Sequence, residues 1–560
     1  MRIERLGPDA RRGARRLRAI VAALPLEELP AGWLITIAGM LAFGVAAALI
    51  DKCSSWDLRN YHYYNAYRFW QGGENRDVLA AHIQTYLNPL PDLPFYWLNG
   101  ILPGRALAFL LGALQGINFG LLYALARRVL RGGAAIALGL AAIGMIGAGS
   151  IGEIGSTFYD YLSAMGAFVS LLMMLCPPER GETNRPGLLW AFACGLPIGL
   201  ATGAKLTAAP YAAAFVVTYF VFRRGNPGAL IQAAACACGA AVGTLSIGGY
   251  WMAHLWAATG DPLFPFFGGL FPGGELAGAP SRDNRFLPRS LAEWLLYPLV
   301  VTFIPGRSAE VEWRDYRLLL MFLLAAVPLW RGWRLGRRRG GEFGGVEPRV
   351  FGALSLFVGL SYLGWLGLFS IWRYALPLEM LSPLIIVMWV RALPLPEAAR
   401  NGAAIGLLVA VTVTVRPPDW GRVPWGPWRE PFVEASIPAT GPGPTLVLLA
   451  GHQATAWLIP FFPEAARFVR ISSDTLSRRY LRLPFFETSI DANLRQHRDD
   501  LRVLITTEEE EERDVVLRSA EDDLAQWGLA VEPGSCIAIA GNLAINGPPQ
   551  LCRVRRMARR

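Results

Sequence analysis

Apolar runs of about 20 residues, the length that crosses a hydrocarbon core as a helix, recur through the first 415 positions of this chain. In lipid every backbone N–H and C=O must find its partner within the protein, and only helices and closed barrels achieve that. The runs fall at 33–50, 104–126, 133–150, 158–175, 188–203, 206–222, 229–250, 317–333, 350–370, 374–391 and 401–415, about eleven crossings by length. The 188–222 stretch is one apolar run broken by Gly203, Lys205 and Pro210, and reads as two short spans joined by a tight turn. Charged residues make up 17% of the 560 positions, against about 25% in a soluble domain. The expected class is a polytopic α-helical membrane protein.

The net charge of +10 does not indicate nucleic acid, because the arginines cluster in short segments between apolar runs. One side receives the N-terminal arginines, Arg127, Arg128 and Arg131, Arg180 and Arg185, Arg223 and Arg224, the run from Arg331 to Arg349, and Arg391 and Arg400. By the positive-inside rule that side is cytoplasmic. The basic start MRIERLGPDARRGARRLR precedes a long run with no small-residue cleavage site, so it reads as a cytoplasmic tail before an uncleaved span. An odd number of spans then puts the C-terminus outside. The outer face receives the loop 51–100, the turn Gly149 to Phe158 leading into Tyr159-Asp160-Tyr161, the segment 254–315 with GDPLFPFFGGLFPGG, and everything after Arg416.

Residues 1–415 thus form a transmembrane domain, 416–440 an interfacial linker marked by Trp420, Trp425 and Trp428, and 441–560 a small α/β domain. In that last part Leu446–Leu449, Phe468–Ile471, Arg502–Ile505 and Cys536–Ile539 read as strands. A helix is expected from an N-cap at Thr507, with Glu510 completing a capping box, to Gly528. The Glu508–Glu512 run reads as a solvated helix start. Of seven cysteines, Cys176, Cys194, Cys236 and Cys238 lie in or beside apolar runs and read as small packing residues. If the tail lies outside the cytoplasm, Cys536 and Cys552 are expected to pair.

The loop after the first span, DKCSSWDLRNYHYYNAYRFWQGGENRDVLAAHIQTYLNPLPDLPFYWL, gathers carboxylates, His62, His82 and several Tyr and Trp into one connection between spans. Asp57 could simply cap a helix, with Tyr61, Tyr64, Phe69 and Trp70 at the headgroup level. That explanation leaves Arg59, His62 and Arg68 without a role, and leaves a second outer acid, Asp160, unexplained. Asp160 and Glu153 add acids at a similar depth on the same face, which makes a site. Only two of the 53 basic residues are lysines, Lys52 and Lys205, and both fall on the outer face.

The order of motifs resembles that of GT-C membrane glycosyltransferases of the aminoarabinose-transferase and protein-mannosyltransferase type. The residues are Asp57, Tyr61, His62, Ala66 and Gly72/Gly73, then Asn88-Pro89-Leu90-Pro91 and Phe95–Leu98, Asp160 after Thr157-Phe158-Tyr159, GDPLFPF, and RYALPLEM, which opens with Arg373 and Tyr374. The resemblance implies a polyprenyl-phosphate-linked sugar as donor, a lipid or glycan acceptor, and a place in a bacterial inner membrane with the tail domain in the periplasm. It implies Asp57 as general base and Asp160 as the acid that positions the acceptor or Asp57; His62 is a second candidate for the base, against the commoner role of an interface histidine as a hydrogen-bonded helper. Arg59, Tyr61, His62, Asn88, Glu153, Lys205, Arg373 and Tyr374 are the expected substrate contacts. Where the family often has a basic residue before Pro-Pro, this chain has Asn88, so Lys205, Arg59, Arg68 or Arg373 is expected to meet the donor phosphate. Leu58 follows Asp57, so there is no acidic pair to support a divalent metal, and no cofactor is expected. His254, His452 and His497 are assigned no catalytic part. The competing class is a transporter or flippase of lipid-linked sugars, which should show repeated halves and broken helices at mid-membrane; no repeat is evident.

Overall fold

The computed structural model describes residues 29–72, 76–177, 187–267, 270–271, 283–304, 306–335, 344–439, 445–472, 478–497, 500–506 and 513–557. Gly73, the N-terminal arginines, Arg180 and Arg185, part of the Arg331–Arg349 run, and the Thr507 cap with the acidic run after it lie outside these residues.

Among the described residues, six helices are long and apolar enough to cross a membrane: Gly32–Leu49, Gly104–Leu130, Leu206–Arg223, Ala229–Thr259, Pro348–Leu368 and Trp372–Arg391. Ala134–Met145, Asp160–Leu175, Leu188–Ala204 and Leu291–Phe303 are shorter apolar helices. Two features differ from the sequence reading. The helix expected to end near 250 runs to Thr259, where Gly260 closes it at φ 75°, so His254 is helical. Leu291–Phe303 is an apolar helix inside the segment 254–315, where no span was expected; Pro298 and the non-helical Leu296 interrupt its pattern, and the Ser290 hydroxyl caps it by accepting from Glu293 N.

The helix entered at Trp372 is the centre of the bundle: 94% of its apolar window is buried, against 17% for Gly32–Leu49. The first helix instead presents Leu34, Ile37, Leu41 and Val45 outward, a lipid-facing stripe. Two helix pairs approach closely because glycines line the seam. A Cβ at Gly195, Gly199 or Gly203 would meet the backbone carbonyl of Cys236, Ala240 or Thr244 across the contact. Gly112 and Gly116 meet Phe43 and Gly39 in the same way. Small residues at i, i+4 are how helices associate where lipid offers no hydrophobic drive.

The C-terminal region forms a six-stranded sheet. Its path runs from β5 (Arg467–Arg470) to β4 (Leu446–Leu449), β6 (Leu501–Ile505), β10 (Gln550–Arg556) and β7 (Leu529–Val531), with β8 (Ile537–Ala538) beside β10. The first three strands are parallel, and β10 is antiparallel to its neighbours. Cys536 and Cys552 are joined by a disulfide beside the β8–β10 pairing. The described part of the last helix is Arg513–Gln526.

Three strand contacts fasten this region to the membrane part. Lys52–Cys53 (β1) pairs with Arg422–Val423 (β2) of the linker. Ala435–Ser436 (β3) pairs with Ala540–Gly541 (β9), tying the linker to the sheet domain. Val78 of the opening loop bridges to Val469 on the outer edge of β5, so the loop covers what would be a bare sheet edge. The Arg470 side chain completes that join: its Nε and Nη2 donate to the carbonyls of Leu79 and Ala80, and its Nη1 to Gly451. The linker tryptophans are divided: Trp425 Nε1 donates to Ile50 O and Trp420 packs on Phe158, while Trp428 stays exposed.

Candidate active site

The opening loop starts its helix on Ser55, whose hydroxyl accepts from Leu58 N. Asp57 therefore is not the cap, and its side chain is free to leave the helix axis. Leu58–His62 is a π turn that passes into the α-helix Tyr63–Trp70. Such widened turns are uncommon and cluster at functional sites. Every residue of this one is buried, so the headgroup-level reading of Tyr61 and Tyr64 does not hold. Tyr61 donates to Asp57 Oδ2 at 2.9 Å and Tyr64 to Asp77 Oδ2 at 2.8 Å. Trp70, at the far end, is exposed as expected.

Tyr61 and His62 form one wall of a cavity of about 150 Å³ at the helix ends that carry the loop 51–100. Asn88 and Asp92 of the Pro-rich exit, Tyr159, Lys205 and Tyr374 complete its polar lining. Gly248, Trp251, Met252 and Leu255, from the Ala229–Thr259 helix, form an apolar side. Leu263 and Phe264 of the GDPLFPF segment also line it. A cavity with one cationic corner and an apolar wall continuous with a membrane helix suits an anionic headgroup whose tail remains in lipid.

The two expected acids stand behind this wall, each bound to a cation. Asp57 Oδ2 lies 2.7 Å from Arg373 Nη1. Asp160 Oδ1 lies 2.8 Å from Lys205 Nζ, which also donates to Phe158 O at 2.6 Å. The Arg373 guanidinium sits over the rings of Phe158 and Tyr374, and the Lys205 ammonium over Tyr374. Burial alone would raise the Asp57 carboxyl; the Arg373 charge foremost, with Lys205 and the Tyr61 hydrogen bond, outweighs it and holds it below the usual carboxylate range. Glu153 goes the other way. Burial first, then the neighbouring Asp160 charge, pushes its carboxyl well above the usual range.

The turn that carries Glu153 is held from below. Glu379, in the central helix, accepts from Gly149 N and Ser150 N, both at 2.9 Å, and from Trp372 Nε1 at 2.8 Å. Asp315 accepts from Ala148 N at 3.1 Å and pairs with Arg317. These carboxylates satisfy the orphan N–H groups that open the short helix Ala148–Gly152.

His62 differs from the other polar groups of the site. Its Nδ1 lies 2.7 Å from Asp92 Oδ1. A carboxylate only accepts, so Nδ1 carries the hydrogen, and in the neutral ring Nε2 keeps the lone pair. Nε2 is buried and has no hydrogen-bond partner among the described residues. The ring is fixed between Tyr61, at 4.2 Å between centroids, and the edge of Tyr159, at 5.6 Å. Burial pushes the Asp92 carboxyl up, and the His62 bond draws it part of the way back.

Of the residues expected from sequence, Tyr61, His62, Asn88, Lys205 and Tyr374 line the cavity. Asp57, Asp160 and Arg373 stand in contact with that set. Glu153 is next to Asp160. Arg59 is placed elsewhere: it is buried, donates from Nε to Ser54 O, and is not a lining residue. Asn88 braces two turns, donating to Gly203 O at 3.0 Å and accepting from Leu90 N at 3.1 Å. Arg68 pairs with Asp77, away from the cavity. His254 stacks on Trp251 and does not itself line the cavity. Among the described residues no group of His, Cys, Asp and Glu is arranged to hold a metal ion. Sequence reasoning missed Asp92, Asp315 and Glu379. Asp92 lay between two motifs already singled out, Asn88–Pro91 and Phe95–Leu98, and Glu379 lay inside RYALPLEM.

No family model matches the chain, and no curated protein does. Among solved structures it is similar to a crystal structure of ArnT from Cupriavidus metallidurans bound to undecaprenyl phosphate, at 16% identity and a TM-score of 0.40. The match covers 68% of this chain and 64% of that one.

Proposed function

We propose that this chain is a membrane glycosyltransferase that moves a sugar from a polyprenyl-phosphate donor to a lipid or glycan acceptor on the outer face of a bacterial inner membrane. The observation that carries the reading is Lys205, whose ammonium borders a cavity walled on another side by the apolar face of the Ala229–Thr259 helix. The donor phosphate meets Lys205, with Arg373 beside it, and the prenyl chain stays against the helix. As the carbon–oxygen bond to the carrier breaks, negative charge grows on the phosphate, and these two cations stabilise it.

The acids take parts that differ from the sequence expectation. Asp57 is bound to a guanidinium and a phenol and held below the usual carboxylate range, so it is a weak base in this state. Its part is to hold Arg373 at the cavity. Asp160 does the same for Lys205. No metal takes part in this reading.

The test compares cell-envelope glycans and lipid-linked sugars by mass spectrometry in a strain with the gene, without it, and with the Lys205→Met variant. The reading expects one envelope glycan to disappear and its lipid-linked sugar to accumulate in both defective strains. Unchanged glycans and lipid pools in the deletion strain would overturn it.

A further inference from the structure

Transfer to a hydroxyl needs a group that takes the hydroxyl proton, and the carboxylate expected to serve, Asp57, is bound to a cation behind the cavity wall, as is Asp160. A proton acceptor needs a lone pair, access to the cavity and a fixed orientation. His62 meets all three: it lines the cavity, its Nε2 is buried without a partner among the described residues, and Asp92 holds Nδ1 at 2.7 Å.

We infer that His62 is the catalytic base of this site and Asp92 its positioning residue, the two acting as a dyad built from both ends of the opening loop. The inference rests on the transferase reading above. The acceptor oxygen attacks the anomeric carbon and forms the new C–O bond, and the bond from that carbon to the carrier phosphate oxygen breaks with its electron pair on the phosphate. The acceptor proton passes to His62 Nε2. The imidazolium so formed keeps its Nδ1–H bond to Asp92 and lies near the Asp57 carboxylate. The ring then returns its proton to solvent or to the released carrier phosphate.

The rest of the site supports this division of labour. Tyr61 touches both Asp57 and the imidazole, so a single helical turn sets the carboxylate and the base side by side. The edge of Tyr159 closes the other side of the ring. Asp92 stands at the N-terminal end of the Leu93–Asn99 helix and gives that end no side-chain cap bond. Its carboxylate serves the histidine instead.

Two measurements on the full-length protein test the dyad. The chain has five histidines, so selective ¹⁵N-histidine labelling in lipid nanodiscs gives a spectrum that His62→Gln assigns by loss of one ring. The expected result is a His62 ring protonated at Nδ1 with Nε2 bare, and a shift of that tautomer balance in Asp92→Asn, which a merely structural Asp92 would not produce. A wild-type ring protonated at Nε2 alone would overturn the proposal. The groups facing the ring, Asp57, Asp92, Tyr61, Tyr159 and Lys205, are left unchanged in the wild-type sample.

The second measurement returns His62→Gln and Asp92→Asn to the deletion strain at matched protein levels. Loss of a positioned base costs about 10²–10⁴-fold in rate, so His62→Gln should leave the envelope glycan at the deletion level, and Asp92→Asn should restore a fraction of it. Full restoration by His62→Gln would sink the base while leaving the transferase reading intact. A deletion strain with unaltered glycans would instead remove the transferase reading itself.

Discussion

Asp57 and Arg373 are separated by 316 positions in the sequence and meet at 2.7 Å beside the cavity lined by Tyr61 and Tyr374. One follows the first span and the other opens the central helix, so this contact closes the bundle around the site. Both side chains are nearly enclosed. A buried pair of this kind adds little net stability over an apolar pair, but removing one partner strands the other's charge.

The two single variants, Asp57→Asn and Arg373→Met, should therefore each cost about 3–5 kcal/mol, and the double variant less than the sum. Thermal unfolding in detergent, run as a double-mutant cycle, reads this directly. The pH dependence follows from the depressed Asp57 carboxyl. Its contribution is complete above the unfolded value near pH 3.9 and is lost only as pH falls through the still lower folded value. The wild-type advantage over Asp57→Asn should thus be constant from pH 5 to 8. Additive losses in the cycle would show that the pair does not act as a unit.

Glu153 predicts the opposite trend. Its folded carboxyl lies above the unfolded one, which titrates near pH 4.3, so the native state holds a proton that the unfolded chain gives up. Stability from this group is present below that pH and declines as pH rises toward the folded value. Glu153→Gln mimics the protonated acid and should remove the decline, leaving the variant more stable than wild type at pH 8 and similar at pH 4. Melting curves at the two pH values decide it. A variant less stable at pH 8 would mean that Glu153 is held there as a carboxylate.

Much of the membrane part was legible because its cause is local. Apolar length and arginine placement mark most helices without reference to any contact. Leu291–Phe303 escaped because Pro298 breaks the run and Leu296 breaks the helix, so neither length nor period identifies it. In the sheet domain the apolar quartet Leu446–Leu449 was visible, but β10 was not. Its Arg553, Arg555 and Arg556 disguise a strand that is flanked on both sides by partners. The site shows the same division. Residue types on the outer face could be read from the chain, but which carboxylate meets which cation is decided by contacts across hundreds of positions. The family resemblance favoured Asp57 as the base, and only the fold shows Arg373 Nη1 at 2.7 Å from its carboxylate.

Lys52 gives a prediction about how the linker is held. Its side chain is enclosed beneath Trp425, with the Glu430 carboxylate 3.7 Å away. Burial lowers its pKa to about 8, more than Glu430 raises it. Between there and the unfolded value near 10.4 the unfolded chain carries a proton that the native state has lost, so wild-type stability should rise across that window. At 1.36 kcal/mol for each pKa unit the rise is on the order of 3 kcal/mol. Lys52→Met should abolish the rise and be the more stable protein at pH 7.5. Melting temperatures at pH 7.5 and 9.5 compare the two, and a wild type that does not gain stability at the higher pH would contradict the burial of this amine.

Arg470 joins the sheet domain to the loop that carries His62. It is fully buried at the end of β5, with donors on Leu79, Ala80, Gly451 and Thr455. Arg470→Met keeps most of the apolar stem but leaves those buried carbonyls without their donors, at about 1–3 kcal/mol for each group left unpaired. The bridge from Val78 to β5 then loses its lock, because the same side chain spans the join. Hydrogen exchange should accelerate at Val78 and His82, whose amides are bonded to Phe468 O and Leu79 O, while the Gly104–Leu130 helix keeps wild-type protection. Since Asn60 also donates to Ala81 O, the loosened loop should carry the π turn with it, and the envelope glycan should fall. Faster exchange throughout the chain would mean that Arg470 stabilises the whole fold rather than this junction, and unchanged exchange at Val78 would mean that the β5 pairing holds the loop without it.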